Sequence, residues 1–193
     1  MVQYKFESPD GYMVGQLLIA MPNMQDERFK RSVVYICAHS EEGAMGLVLN
    51  RLLPDMTFME LLHELDITGS FAPPDVPIHV GGPVESSRGF VLHSGEYERD
   101  STVQVDDDIS LTASLEIVRD IAIGRGPERS ILALGYSGWG AGQLDEEIQA
   151  NGWLSAPATT ELVFGTPLEE QWERAVASVG ANPGMLSGTA GRA

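Results

Sequence analysis

Few side chains in this sequence have the reactivity for catalysis or metal binding: His39, His63, His79, His93, the lone Cys37, and Ser137 in the run GYSGWGAG. A metal centre needs ligands at set spacing, such as two histidines one helical turn apart. The histidines do not supply it, and His63-Glu64 is followed by Ile67 where a second ligand would stand. His39, His79 and His93 each fall at or near the end of an apolar run, so folding could gather them, but no spacing requires it. Neither a metal nor a cofactor is expected. Ser137 could act as a nucleophile if a histidine served as its base. A nucleophile elbow needs glycine at 139, however, where Trp139 stands. The same run fails as a dinucleotide fingerprint because Gln143 occupies a glycine position, and no Lys-Ser/Thr follows to make a phosphate loop. Cys37, inside SVVYICAH, reads as an inert core thiol.

Short polar and glycine-rich stretches follow several of the apolar runs, and loops at strand ends tend to carry function. They define the candidate binding surface: His39, Asn50, Gly81, Gly82, Ser137, Trp139 and Gln143. For the glycines, tight turns and close packing are the competing structural role. Asn50 could equally cap or close a turn. Trp139, in a glycine-rich turn at a solvent-facing tip, is expected to be a recognition anchor. No catalytic residue is assigned. The expected role is a non-enzymatic binding or regulatory module for a protein or small molecule. The alternative is a small hydrolase or transferase using His39 with Glu41 or Glu42, or Ser137.

The elements that must position these residues follow from periodicity. GQLLIA (15–20) and SVVYICA (32–38) are strand-length apolar runs, and the polar stretch between them has room for one helical turn. HSEEGA and MGLVLN (45–50) continue the second run into a hairpin with a longer loop. Thr57 and Glu60 form a capping box for a helix over about 58–65. FAPPDVP (71–77) is a loop, and IHVGG (78–82) and GFVLHS (89–94) are strands around the turn PVESSR. Asp106–Asp108 reads as a solvated turn. A helix spans 115–123 with Gly124 and Pro127 as stop signals, and a buried strand spans 130–136. Beyond the glycine turn comes an acidic-first helix ending at Gly152, then extended pieces at 153–157 and 161–164. In the last helix Thr166 caps, Pro167 takes the first position and Glu169 closes the box. Leu168, Trp172, Val176 and Val179 line its apolar face, and Gly180 ends it. Strands and helices alternate without a βαβ period, which predicts an α+β fold. One domain is expected over residues 1–180, with a loose tail at 181–193.

Composition narrows the partners. Among 193 residues, 12 Lys and Arg stand against 28 Asp and Glu, a formal charge of −16. The one dense basic group, Arg28, Lys30 and Arg31, follows directly on Asp26 and Glu27. Duplex binding draws on contiguous basic surface, so direct nucleic-acid binding is not expected, and neither is an anionic membrane. Residues 1–12 have no signal-peptide pattern, no apolar run reaches the roughly 20 residues of a span, and a single cysteine suits a reducing compartment. A cytoplasmic location is expected.

Taken together, GQLLIAMPNMQDERFKRSVVYICAHSEEGAMGLVLNR, HVGGPV with RGFVLHS, LALGYSGWGAGQLDEEIQANGWL and LVFGTPLEEQWERA resemble the YqgE/AlgH family of bacterial proteins. The likeness runs from about Gly15 to Gly180 in the family's order. Three positions depart from it: Ser40 where the family commonly has Asp, Leu52 where it commonly has Pro, and Ser137 where it often has Ala. The resemblance implies an α+β fold with a bifurcated, mostly antiparallel sheet curled into a pseudo-barrel and helices packed outside. It also implies a cytosolic location, and carries no established reaction. Some members are labelled transcriptional regulators tied to alginate control; the acidic balance here would make any such effect indirect.

Overall fold

The computed structural model describes residues 12–69 and 72–186. The leader reading of residues 1–11, the start of the 71–77 loop and the tail beyond 186 lie outside them. Strands β1 (Gln16–Ala20), β2 (Val33–Ser40) and β3 (Gly43–Val48) form an antiparallel meander. Helix α1 (Phe58–Glu64) precedes β4 (Ile78–Val80) and β5 (Val84–Ser94). A hairpin of β6 (Thr102–Gln104) and β7 (Ile109–Thr112) leads to α2 (Leu115–Ala122), β8 (Ser130–Gly140), α3 (Gln143–Gln149), β9 (Trp153–Pro157) and α4 (Leu168–Ser178). The strands form one sheet in the order β6-β7-β5-β8-β3-β2-β1-β9.

The longest-reaching strand is β8. Its first half pairs with β5 antiparallel and with β4 parallel, and its last residues pair with β3. Since β3 and β4 share β8 as a neighbour, the sheet forks there. The strand just after β4 passes so close to β8 that a Cβ at Gly81 would collide with the Gly135 carbonyl oxygen, and one at Gly82 with the Tyr136 carbonyl. Glycine at both positions is a steric requirement of the fork.

Alternation along the strands sends successive side chains to opposite faces. Leu17, Ile19, Val33, Tyr35 and Cys37 join Phe90, Leu92, Ile131 and Ala133 in one core. Leu18, Ala20, Val34 and Ile36 face the other way, toward Trp139, Leu144 and Trp153. The sheet curls toward the first face: Tyr35 on β2 donates its hydroxyl to Asp106 in the β6–β7 turn at 2.6 Å, although β3, β8, β5 and β7 lie between in the strand order. The result is an α+β half-barrel. Helices α1 and α2 pack on the convex side through Phe58, Leu61, Leu62, Ile117, Val118 and Ile121, and α3 packs there through Leu144. Helix α4 sits against the inner core through Trp172, Ala175 and Val176. Trp172 also donates its indole N–H to the Ala20 carbonyl at 2.8 Å, and its ring carries the Arg31 guanidinium 4.3 Å away. Among the described residues no helix is long and apolar enough to cross a membrane.

Several local expectations need correction. The β2–β3 connection is only Glu41–Glu42, because both strands run further than their apolar residues. PVESSR is not a turn between paired strands: β5 starts at Val84, and β4 and β5 each pair with β8. Residues 161–165 are not extended but form one π-helical turn. Thr166 does not cap α4; its hydroxyl donates to the Glu161 carbonyl, and the buried Gln171 amide donates to the Leu162 and Val163 carbonyls. Those bonds satisfy carbonyl acceptors of the π-turn. Helix α1 has the full capping box, with Glu60 N–H on Thr57 Oγ1 and Thr57 N–H on the Glu60 carboxylate. Of the tail, Ala181 and Leu186 pack against the inner core.

Candidate functional site

The expected glycine turn around Ser137 is strand. Strand β8 continues to Gly140, and Gly135, Ser137 and Trp139 alternate as its buried positions. Ser137 is 0% exposed and donates its hydroxyl to the Gly81 carbonyl at 3.2 Å, across the fork of the sheet. That bond closes a gap between backbones; the hydroxyl faces neither a histidine nor solvent. Gly81 itself bridges both neighbours, its N–H donating to Leu134 and its carbonyl accepting from Val48.

Trp139 is not at a solvent-facing tip. It is 7% exposed, packs edge-on to Trp153 with centroids 6.0 Å apart, and tilts against Phe29. Its indole N–H donates to Glu147 Oε2 at 3.0 Å, and Trp153 donates to the same oxygen at 2.8 Å. Gln143 completes the arrangement: its amide donates to Glu147 Oε1, and its own oxygen accepts the Gly140 N–H at the start of α3. One carboxylate on α3 thereby ties β8 to β9. Asn50 likewise serves the backbone, accepting from Val33 N–H and donating to the Arg31 carbonyl, both at 2.9 Å.

His39 reaches the outer face through an irregularity. The β2–β3 register shifts between Ile36 and Ala38, and such a bulge moves the alternation by one residue. His39 therefore shares a row with Ala44 and Trp139 on three adjacent strands. It is 6% exposed, and its Nδ1 accepts the Met13 N–H at 3.1 Å. Burial holds its basicity below the ordinary histidine range, against the opposing charge of Asp145. Neither Glu41 nor Glu42 forms a hydrogen bond with it.

The other strand-end histidines have separate partners. His79 Nδ1 donates to the Leu49 carbonyl at 2.7 Å. His93, 0% exposed, bonds the Ser94 carbonyl through Nδ1 and Thr112 Oγ1 through Nε2. Thr112 in turn meets Thr102 Oγ1 at 2.9 Å, which accepts the Arg99 N–H. Since carbonyls only accept and N–H groups only donate, the hydrogens run from Arg99 through Thr102 and Thr112 to His93 and out to Ser94. Burial lowers the basicity of both rings. Burial also pushes the Cys37 thiol far above its usual range, which leaves it unreactive.

The candidate surface thus separates into parts. Trp139 and Gln143 meet on Glu147 at the α3 corner with His39 two strands away on the same row, Gly81, Gly82 and Ser137 meet at the fork, and Asn50 stands at the far end of β2. A region that the sequence reading passed over is a cleft of about 490 Å³ lined by Glu98, Arg99, Asp100, Glu116, Arg119 and Asp120. Asp120 Oδ2 accepts the Tyr97 hydroxyl at 2.7 Å and the Arg99 guanidinium at 2.6 Å. Burial raises the Asp120 carboxyl's affinity for a proton, but those two bonds and the charges of Arg99 and Arg125 together outweigh it and hold the group below its ordinary range. Tyr97 stacks edge-on against His93 at 5.3 Å, so the cleft floor rests on the buried histidine chain. Glu116, Arg119 and Asp120 share the face of α2 opposite Ile117, Val118, Ile121 and Ala122.

Comparison with known proteins agrees with this architecture. Residues 17–184 match the model of the family DUF179, described as AlgH-like. A UPF0301 protein of Methylobacterium nodulans is 54% identical over 190 residues, covering 94% of this chain and 90% of the relative. One from Rhodopseudomonas palustris is also 54% identical, over 94% and 87% of the two chains. Among solved structures, the AlgH protein of Pseudomonas aeruginosa superposes with a TM-score of 0.78 at 39% identity, over 98% of this chain and all of that one. A Corynebacterium diphtheriae protein at 22% identity shares the fold, with a TM-score of 0.71 over 94% and 92% of the chains. With the family model spanning most of the sequence and relatives sharing half of its residues, this chain belongs to the AlgH-like family.

Proposed function

We propose that the protein is a non-enzymatic binding module of the cytosol that recognises a protein or small molecule, with any influence on transcription exerted through that contact and not through DNA. The observation that carries this reading is the bonding of the nucleophile candidate. The Ser137 hydroxyl is sealed against the Gly81 carbonyl at the fork of the sheet. His39, its nominal base, directs Nδ1 to the Met13 backbone. Catalysis by Ser137 would require breaking the bond that ties β8 to Gly81. The cleft beside α2 offers solvent-facing charged side chains of both signs, with Asp120 held by Tyr97 and Arg99. Such a surface selects partners by charge complementarity.

The test has two arms. Wild type and Ser137→Ala are assayed against p-nitrophenyl esters and phosphates, and both are expected to be inert. Turnover that disappears in Ser137→Ala would refute the reading. In the second arm, extracts are passed over immobilised wild type and a Glu116→Lys/Arg119→Glu variant. A partner retained by the first and released by the second is the expected result, with unchanged melting temperatures as the control.

A further inference from the structure

Residues 12–14 lie across the end of β2 and are fastened there by one side chain. The Met13 N–H donates to His39 Nδ1 at 3.1 Å, the Tyr12 ring meets the imidazole edge-on at 4.8 Å, and the Gly15 N–H continues onto the Ile36 carbonyl. The Met13 side chain packs on the apolar cluster of Trp139, Leu144 and Trp153. The direction of the first bond matters, because a backbone N–H can only donate, so His39 must present a bare Nδ1 lone pair and be neutral. A proton on Nδ1 would set two N–H groups against each other in a nearly buried place. The neighbours of His39 on its row are Ala44 and Trp139, neither of which ionises. From α3, Asp145 faces it and favours the imidazolium; from the segment itself comes the Tyr12 ring.

We propose that residues 12–14 form a proton-released strap: protonation of His39 expels the Met13 amide, the segment lifts from β2, and the cluster around Trp139 loses its cover. The sign follows from linkage. The closed state holds His39 neutral, whereas the open state leaves it to titrate near the ordinary value of about 6.5. Opening therefore stays constant above about pH 6.5 and increases as the pH falls, by up to about tenfold per pH unit, until the closed-state imidazole itself takes a proton. Burial, which lowers that closed-state affinity, widens the window.

Residue-resolved hydrogen exchange of the full chain from pH 7.5 to 5, corrected for intrinsic rates, tests this, with His39 followed in parallel by NMR. The Met13 amide is expected to lose roughly tenfold in protection below pH 6.5, with buried amides of β2 such as Tyr35 unchanged. His39→Asn supplies an oxygen in place of Nδ1 that does not titrate here, so its Met13 protection should stay flat with pH. His39→Phe fills the space without an acceptor and should leave Met13 unprotected throughout. A flat wild-type profile, an opening that does not follow the His39 titration, or the same acid loss in His39→Asn would overturn the proposal. The wild-type arms decide it even if a variant fails to fold.

Discussion

Glu147 offers the sharpest test of the packing between α3 and the sheet. Its Oε2 accepts two indole N–H groups, at 3.0 Å from Trp139 and 2.8 Å from Trp153, whose residues are 7% and 3% exposed. Glu147→Ala would leave both donors facing a gap. A hydrogen bond to a charged acceptor contributes about 1.5–3 kcal/mol net, so two would give about 3–6 kcal/mol as a ceiling. The carboxylate is half-buried and water can reach the vacated space, which reduces the expectation to about 2–4 kcal/mol. Glu147→Gln keeps one oxygen acceptor and should cost about 1 kcal/mol. The assay is urea unfolding followed by far-UV circular dichroism, because tryptophan fluorescence would change with the substitution itself. A double-mutant cycle with Trp153→Phe should give a coupling of at least 0.5 kcal/mol, as contacting residues do. A loss below about 1 kcal/mol for Glu147→Ala, or additive effects in the cycle, would refute the idea that one carboxylate holds both rings.

Three further expectations follow from named contacts. Trp172→Ala removes a ring that is 4% exposed and hydrogen-bonded to Ala20; a loss of about 3–5 kcal/mol in urea unfolding is expected, and one below about 1 kcal/mol would contradict the core position. Thr57→Ala breaks the capping box of α1 and should cost about 0.5–2 kcal/mol in the same assay. With a charge of −16 and its Arg28–Arg31 group paired to Asp26, Glu27 and Glu173, the protein should not bind duplex DNA specifically at near-physiological salt. Sub-micromolar, sequence-selective affinity by fluorescence anisotropy would overturn that.

The strands with unbroken alternation were readable in advance. Leu17 to Ala20 and Val33 to Ile36 are apolar at every position because both faces of the sheet are covered, one by α4 and the inner core, the other by α3 and the paired tryptophans. GYSGWG was misread because glycine is a turn signal wherever the chain needs a positive φ, whereas here glycine also answers a steric demand made by residues 81 and 82. The demand is reciprocal between segments far apart in sequence, so no local window contains it. Beneath the glycines the period of two was intact, in Gly135, Ser137 and Trp139. Trp139 was mistaken for a tip for the same reason, and its partner Glu147 looked like one more solvated acid. Thr166 illustrates a local competition: a hydroxyl before Pro167 reads as a cap, but the π-turn carbonyl is nearer. The cleft at Glu98–Asp100 was not legible, since charged residues on a helix face are usually there for solubility. Only the fold sets them opposite the loop after Tyr97.

The fork at β8 also has consequences for how the chain reaches this state. Strand β3 cannot complete its ladder until Gly140 is available to pair with Gly43, and β1 waits for Ala156 to meet Leu17. At about 5–20 residues per second of synthesis, the β2–β3 hairpin leaves the ribosome on the order of ten seconds before its final neighbour. Throughout that interval the free sides of β3 (GAMGLV) and β1 (QLLIA), both uncharged, present unsatisfied edges of the kind that recruit other chains. Long-range pairing of this sort also slows folding once synthesis is complete. The nascent half-barrel is thus exposed to self-association mainly before β8 arrives, and holding chaperones or a slower, cooler expression would act on that stage.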